Sequence, residues 1–246
     1  MDLKAFFEAH PRVAIAFSGG VDSTYLVTAA AQYAQSVHAY TIDSAFVPRF
    51  ELEGAKALTK RLALLTRSFP LMSCKMKPLS KIRKTAVIFA RSRFSTIWKA
   101  AKKDGYNLLL DGTNASDDAS DRPGMKALAE LDVLSPLRLC GLTKSLIRER
   151  SRALGLPTWN KPSYACLATR IPTGEPITKE KLERTEWAET YLMGLGLSDF
   201  RVRLFADCAK LQVKEAQIPL LLQHREDILA VLRTRYDGVF LDLEVR

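Results

Sequence analysis

The sequence predicts an α/β fold, a parallel sheet wound with helices, followed by a smaller α+β unit. Three observations carry this. Short runs of strand formers alternate with helix-periodic runs from residue 12 to about residue 113. The first strand-like run ends at Ser18-Gly19-Gly20 and passes straight into a helical pattern. Beyond residue 176 the order changes to helix, two strands, helix and strand. The boundaries read in this way are 1–176 for the large domain and 177–246 for the small one.

Each element has its own justification. RVAIAF (12–17) is a short apolar run stopped by the glycine pair, and TYLVTAAAQYA (24–34) sets Leu26, Val27, Ala30, Ala31 and Ala34 on one helix face. VHAYTID (37–43) reads as the second strand and ELEGAKALTKRLALL (51–65) as the next helix. A third strand over TRSFPLM (66–72) is weakened by Pro70, which lacks a ladder donor. A helix is expected from Arg91 to Lys103, and YNLLLDGT (106–113) is a strongly apolar strand. Residues 142–157 form a helix with Thr143 as its cap, stopped by Gly155 and Pro157. A proline-rich loop carrying Cys166 then runs to about Pro176, with the composition of an active-site loop. Residues 178–196 are helical, 200–206 and 209–213 are paired strands, 217–235 is helical and 238–245 closes as a strand.

Composition narrows the class. With 246 residues, 47% hydrophobic and 26% charged, the chain is ordinary globular material. The start MDLKAFFEAHPR is polar and broken by Pro11, and no apolar run approaches membrane-spanning length. A cytoplasmic protein without membrane partners is therefore expected. Cysteines 74, 140, 166 and 208 form no CxxC pair, and His10, His38 and His224 are scattered, so no zinc or cluster motif is present. The net charge of +10 gathers between Lys75 and Lys103, which hold ten Lys and Arg and no Asp or Glu. Such a block either attracts phosphate, on nucleic acid or on a small nucleotide, or is a solvated helix face.

The loop FSGGVDST (17–24) follows a strand and opens a helix, so uncapped N–H groups and the positive end of the helix dipole face any bound anion. Two glycines allow close backbone approach, and Ser18, Ser23 and Thr24 add hydroxyls. It is neither a Walker loop nor GxGxxG. The Ser18-Gly19-Gly20-Val21-Asp22-Ser23 segment closely resembles the signature of PP-loop ATP pyrophosphatases. That resemblance implies a doubly wound α/β domain that cleaves ATP between its α and β phosphates and adenylates an acceptor. Asp22 suits either a Mg²⁺ site or a helix cap.

Three further stretches, DGTNASDDASDRPG (111–124), GLTKSLIRERSRALGLPTWNKPSYACLATR (141–170) and FRVRLFADCAKLQV (200–213), occur in that order. With SGGVDS they resemble the ATP-dependent sacrificial sulfur transferases, the LarE-like proteins of nickel-pincer cofactor synthesis. The resemblance implies a pyridinium mononucleotide acceptor whose carboxylate is adenylated by ATP with Mg²⁺. Cys166 would then attack to form a thioester, and its carbon–sulfur bond would break to leave dehydroalanine. Residues 18–23 correspond to the pyrophosphate loop, while Ala16, Asp43, Gly112 and Thr113 would border the adenosine at strand ends. Asp22, Asp118 and Asp121, with Asp117 beside them, would suit Mg²⁺. Lys144 and Arg148 would reach phosphate, although an exposed helix face explains them equally. Trp98, Thr169, Arg170, Arg201 and Arg203 would contact substrate, with the reservations that a helical tryptophan is more often core and that Arg201 and Arg203 could instead lie at a subunit contact. A homo-oligomer is implied as well.

By its residues alone Cys166 would be a small, partly buried cysteine; Lys161 and Arg170 could supply the positive charge that a reactive thiolate needs. The chain also departs from the family pattern. Val87 and Ala90 stand where many relatives carry cysteines, Thr169 replaces a serine, and Phe205, Ala206, Lys210 and Gln212 alter a further segment. Three other readings compete: a tRNA-thiolating enzyme using the basic block, an ammonia-using synthetase in which Cys166 is passive, and a nucleotide-binding module without catalysis.

Overall fold

The computed structural model describes residues 2–61, 65–70, 82–117 and 128–244. They fall into two compact units. The first takes residues 2–61, 65–70, 83–117 and 128–161, and the second takes 162–244 with Ile82.

In the first unit the elements follow in the order α1 (Leu3–Ala9), β1 (Arg12–Ala16), α2 (Val21–Tyr33), β2 (Ser36–Asp43), α3 (Arg49–Arg61), β3 (Leu65–Pro70), α4 (Ile82–Lys103), β4 (Leu109–Leu110), α5 (Pro136–Leu139) and α6 (Lys144–Ala153). The strands form one parallel sheet in the order β3-β2-β1-β4. β1 shows why the sheet is covered on both faces. Val13, Ile15 and Phe17 enter one core with α1, α2 and α3, whereas Ala14 and Ala16 enter another with Ile97 and Ala101 of α4. The domain is thus doubly wound, as expected. The chain runs outward from β1 to β2 and β3, then returns to place β4 on the other side of β1, which makes β1/β4 the switch point where such sheets bind ligands.

The second unit carries a 3-10 turn (Leu167–Arg170), α7 (Lys179–Gly194), β5 (Arg201–Phe205), β6 (Cys208–Gln212), α8 (Ile218–Gln223), α9 (Arg225–Leu232) and β7 (Val239–Leu241). β5 and β6 form an antiparallel hairpin, and β7 joins β6 in parallel. Leu192, Val202, Leu204, Leu211, Ile228 and Leu232 form part of its core.

The compact units part between Lys161 and Pro162, so the Cys166 loop falls in the smaller one. The reason is that the loop is bonded into the small unit: Arg201 donates to the Ser163 carbonyl at 2.9 Å, Arg203 to the Thr169 carbonyl at 2.7 Å, and Arg170 pairs with Glu189 of α7. Several element boundaries differ from expectation. α3 stops at Arg61, and Pro70 is the last residue of β3, where a missing donor is tolerated. α4 begins at Ile82 instead of Arg91, and β4 is only two residues long. The helix expected over 217–235 divides at His224, whose N–H turns to the carbonyls of Leu220 and Leu222. Among the described residues no helix is long and apolar enough to cross a membrane.

Candidate functional site

The glycine loop is built by its own serines. Ser18 Oγ lies 3.0 Å from Ser23 Oγ, the Ser18 N–H donates to Ser23 Oγ at 3.3 Å, and Ser23 Oγ donates to the Gly20 carbonyl at 3.2 Å. Gly19 holds φ +73°, and a Cβ there would come within 2.9 Å of Ala55 Cβ on α3. Only glycine combines that backbone with that contact. Gly20 caps α2, and among the described residues no side-chain cap bond takes up its first-turn N–H groups, which leaves them available to an anion. Across the loop, a Cβ on Gly112 would stand 3.0 Å from the Ser23 nitrogen, so the segment after β4 also presses its backbone against α2.

These pieces enclose a cleft of about 250 Å³ lined by Ala16, Ser18, Gly20, Asp22, Ser23, Phe94, Asp111, Gly112, Thr113 and Asp117. The structure therefore gathers Ala16, Ser18, Gly20, Asp22, Ser23, Gly112 and Thr113 around one space. Gly19 and Val21 support it from behind: Gly19 rests on Ala55, and Val21 is in the core. Asp43 is outside the lining and pairs with Arg49 at 2.8 Å. Lys144, the first residue of α6 after its Thr143 cap, bonds Asp22 Oδ2 at 2.6 Å. Arg148 points elsewhere and donates to the carbonyls of Trp159 (2.7 Å) and Lys161 (2.8 Å), so its role is to hold backbone.

Asp111 and Phe94 line the cleft although neither had been singled out. Asp111 accepts the hydroxyls of Ser135 and Thr113, and burial pushes its carboxyl above the ordinary range despite those donors. A signal existed: Asp111 ends the apolar LLLD run, the strand-end position already used to choose Gly112 and Thr113. Phe94 lies one helical turn before Trp98. Trp98 itself is half-buried against the α4 core with Lys102 Nζ 4.7 Å from its ring centre, and it is outside the cleft lining.

A cation fits beside the loop. Asp22 Oδ2 is taken by Lys144, while Oδ1 is buried without a hydrogen-bond partner among the described residues. Among the described residues no three His, Cys, Asp or Glu side chains converge as a metal cluster. Mg²⁺ needs no such cluster, because it commonly binds one or two carboxylates together with phosphates and water. Asp118 and Asp121 lie outside the described residues.

In the second unit Cys166 is half-buried and precedes the 3-10 turn. Both the N–H and the hydroxyl of Thr169 donate to the Cys166 carbonyl, at 2.9 and 2.8 Å. Arg170 turns into the smaller unit. Only 1% exposed, it donates to both Glu189 oxygens and to the Ala165 carbonyl, leaving its guanidinium wholly enclosed. Arg201 is likewise buried on the carbonyls of Phe200 and Ser163. Arg203 is half-buried, bonded to Gln212 and to the Thr169 carbonyl. Cys140 is a packing residue whose thiol is pushed up by burial. Cys74 lies outside the described residues.

The asparagine synthase family matches residues 4–115, which hold the glycine loop and most of the cleft lining. A pyridinium-3,5-bisthiocarboxylic acid mononucleotide synthase of Lactiplantibacillus plantarum is 30% identical over 210 residues, 84% of this chain and 76% of its own. The chain belongs to the LarE-like PP-loop family. It is an enzyme of that kind. The chain is also similar to an uncharacterized protein of Synechocystis sp., 34% identical over 224 residues (90% of this chain, 84% of that protein). Another, from Methanocaldococcus jannaschii, is 24% identical over 245 residues (99% and 94%).

Proposed function

We propose that this enzyme transfers sulfur in nickel-pincer cofactor biosynthesis, adenylating a carboxylate of a pyridinium dicarboxylate mononucleotide and donating the sulfur of its own Cys166. The identity to the L. plantarum synthase carries this reading. An alignment covering 84% of the chain spans Cys166, which lies too far from either terminus to fall outside it.

In the first half-reaction a substrate carboxylate oxygen attacks the α-phosphorus of ATP and the bond to pyrophosphate breaks. The open N–H groups at the start of α2 and the hydroxyls of Ser18 and Ser23 receive the phosphates. Asp22 Oδ1 would hold Mg²⁺, while Lys144 fixes the other oxygen and so orients the carboxylate. When bound, Mg²⁺ shares the charge of the departing pyrophosphate. In the second half-reaction the Cys166 thiolate attacks the acyl carbon and AMP leaves. A proton then leaves the Cα of residue 166, its Cβ–S bond breaks, and the thiocarboxylate departs with the sulfur, leaving dehydroalanine. Assembly as a homo-oligomer belongs to the same reading and is measured by light scattering.

The test is the peptide mass after incubation with ATP, Mg²⁺ and the mononucleotide. The Cys166 peptide loses the elements of H₂S, while the Cys140 and Cys208 peptides keep their mass. AMP formation with an unchanged Cys166 peptide would overturn the donor assignment. The asparagine synthase match favours a second reading, an ammonia-using synthetase. In that case Cys166→Ala keeps full activity.

A further inference from the structure

We infer that Lys161 is a positioning residue for the ATP half-reaction, anchoring the Gly19–Gly20 peptide so that its N–H faces the cleft. This rests on the ATP-cleaving part of the proposed function and assigns a role to a side chain that is outside the cleft lining.

Lys161 Nζ donates to the Gly19 carbonyl at 3.1 Å and to Glu51 Oε2 at 2.6 Å. No cis peptide occurs among the described residues, and in a trans peptide the carbonyl and the following N–H point to opposite sides. Holding the Gly19 oxygen toward Lys161 therefore turns the Gly20 N–H away from it. That N–H makes only a long bond, donating to Ser18 Oγ at 3.4 Å, and Ser18 and Gly20 both line the cleft. The anchored peptide thus contributes a donor to the anion-binding concavity at the start of α2.

An anchor is needed here because the peptide joins two glycines. With no Cβ on either side and Gly19 at φ +73°, little local steric preference opposes a flip of the peptide plane. The flipped form would turn the carbonyl oxygen toward the phosphates. A charged donor on that oxygen favours the productive orientation.

The anchor is itself fixed at both ends. Glu51 is a buried residue of α3, the helix that meets Gly19 through Ala55. Its carboxylate holds the ammonium group in place and balances its charge. Arg148 of α6 grips the Lys161 carbonyl at 2.8 Å and the Trp159 carbonyl at 2.7 Å. α6 therefore reaches the loop twice, through Lys144 on Asp22 and through the segment that carries Lys161.

The test is calorimetric binding of Mg-ATP, inorganic pyrophosphate and adenosine to the full chain, none of which requires the sulfur acceptor. Lys161→Met weakens pyrophosphate and ATP by about tenfold, the range of one hydrogen bond to a charged group, and leaves adenosine binding unchanged. Lys161→Arg, which keeps a charged donor, recovers most of the loss. Urea denaturation accompanies each variant. Native pyrophosphate affinity in a folded Lys161→Met protein overturns the inference alone. So does an equal loss for adenosine, which would mean general damage to the cleft. If the unmodified chain binds neither ATP nor pyrophosphate, the function reading and the inference fall together.

Discussion

Glu189 shows how much one buried side chain does in the Cys166 unit. Its Oε1 accepts Arg170 Nε at 2.8 Å and the Val202 N–H at 2.9 Å, which ties the loop after Cys166 to α7 and β5 at once. Both charged side chains are 1% exposed, so neither recovers solvation when its partner is lost. Glu189→Ala is expected to destabilise by about 3–5 kcal/mol, the cost of leaving a buried charge uncompensated. Urea denaturation followed by far-UV circular dichroism measures it. Joint replacement by Arg170→Met and Glu189→Leu should recover much of that loss, since no lone charge then remains. The sequence marked Arg170 by its place beside Cys166 but did not show which way it turns. Its partner lies nineteen positions on in a different element, and only folding brings the two together.

Among the elements, two turns respond to opposite substitutions. The β5–β6 hairpin has a turn at Ala206 and Asp207, with Ala206 at φ +49°. An alanine pays for its Cβ there, so Ala206→Gly should stabilise by about 0.5–1 kcal/mol, read as a higher urea midpoint. Gly19 is the reverse case: Gly19→Ala meets both a positive φ and Ala55 Cβ at 2.9 Å. Its expected cost is about 1–3 kcal/mol together with weaker ATP binding, checked by denaturation and calorimetry. Legibility differed in the same way. The strand, glycine loop and helix at 12–33 were plain in the sequence because their period and turn chemistry are local. The break at His224 was not, because the apolar pattern continues through it into α9.

For the whole molecule, pH acts on stability through buried groups as well as on chemistry. Burial lifts the Tyr236 phenol from 10.0 to about 12, with the Arg184 guanidinium lying over its ring. Between those values the native state keeps a proton that the unfolded chain releases, so stability falls as pH rises from about 10 toward 12. The contribution is up to about 3 kcal/mol. Tyr236→Phe should flatten that part of the curve, as shown by urea midpoints measured across the alkaline range.

Residue order alone was enough to establish the α/β class, the phosphate loop and the family resemblance, because strand and helix periods and the SGGVDS signature lie within short contiguous stretches. Folding settled the rest. It set Phe94 and Asp111 at the cleft, packed Trp98 against the α4 core, paired Arg170 with Glu189, and brought Lys161 to the Gly19 carbonyl across 142 positions of chain. Such pairings depend on where distant elements cross and how deeply each polar group is buried, and neither quantity is written in local pattern.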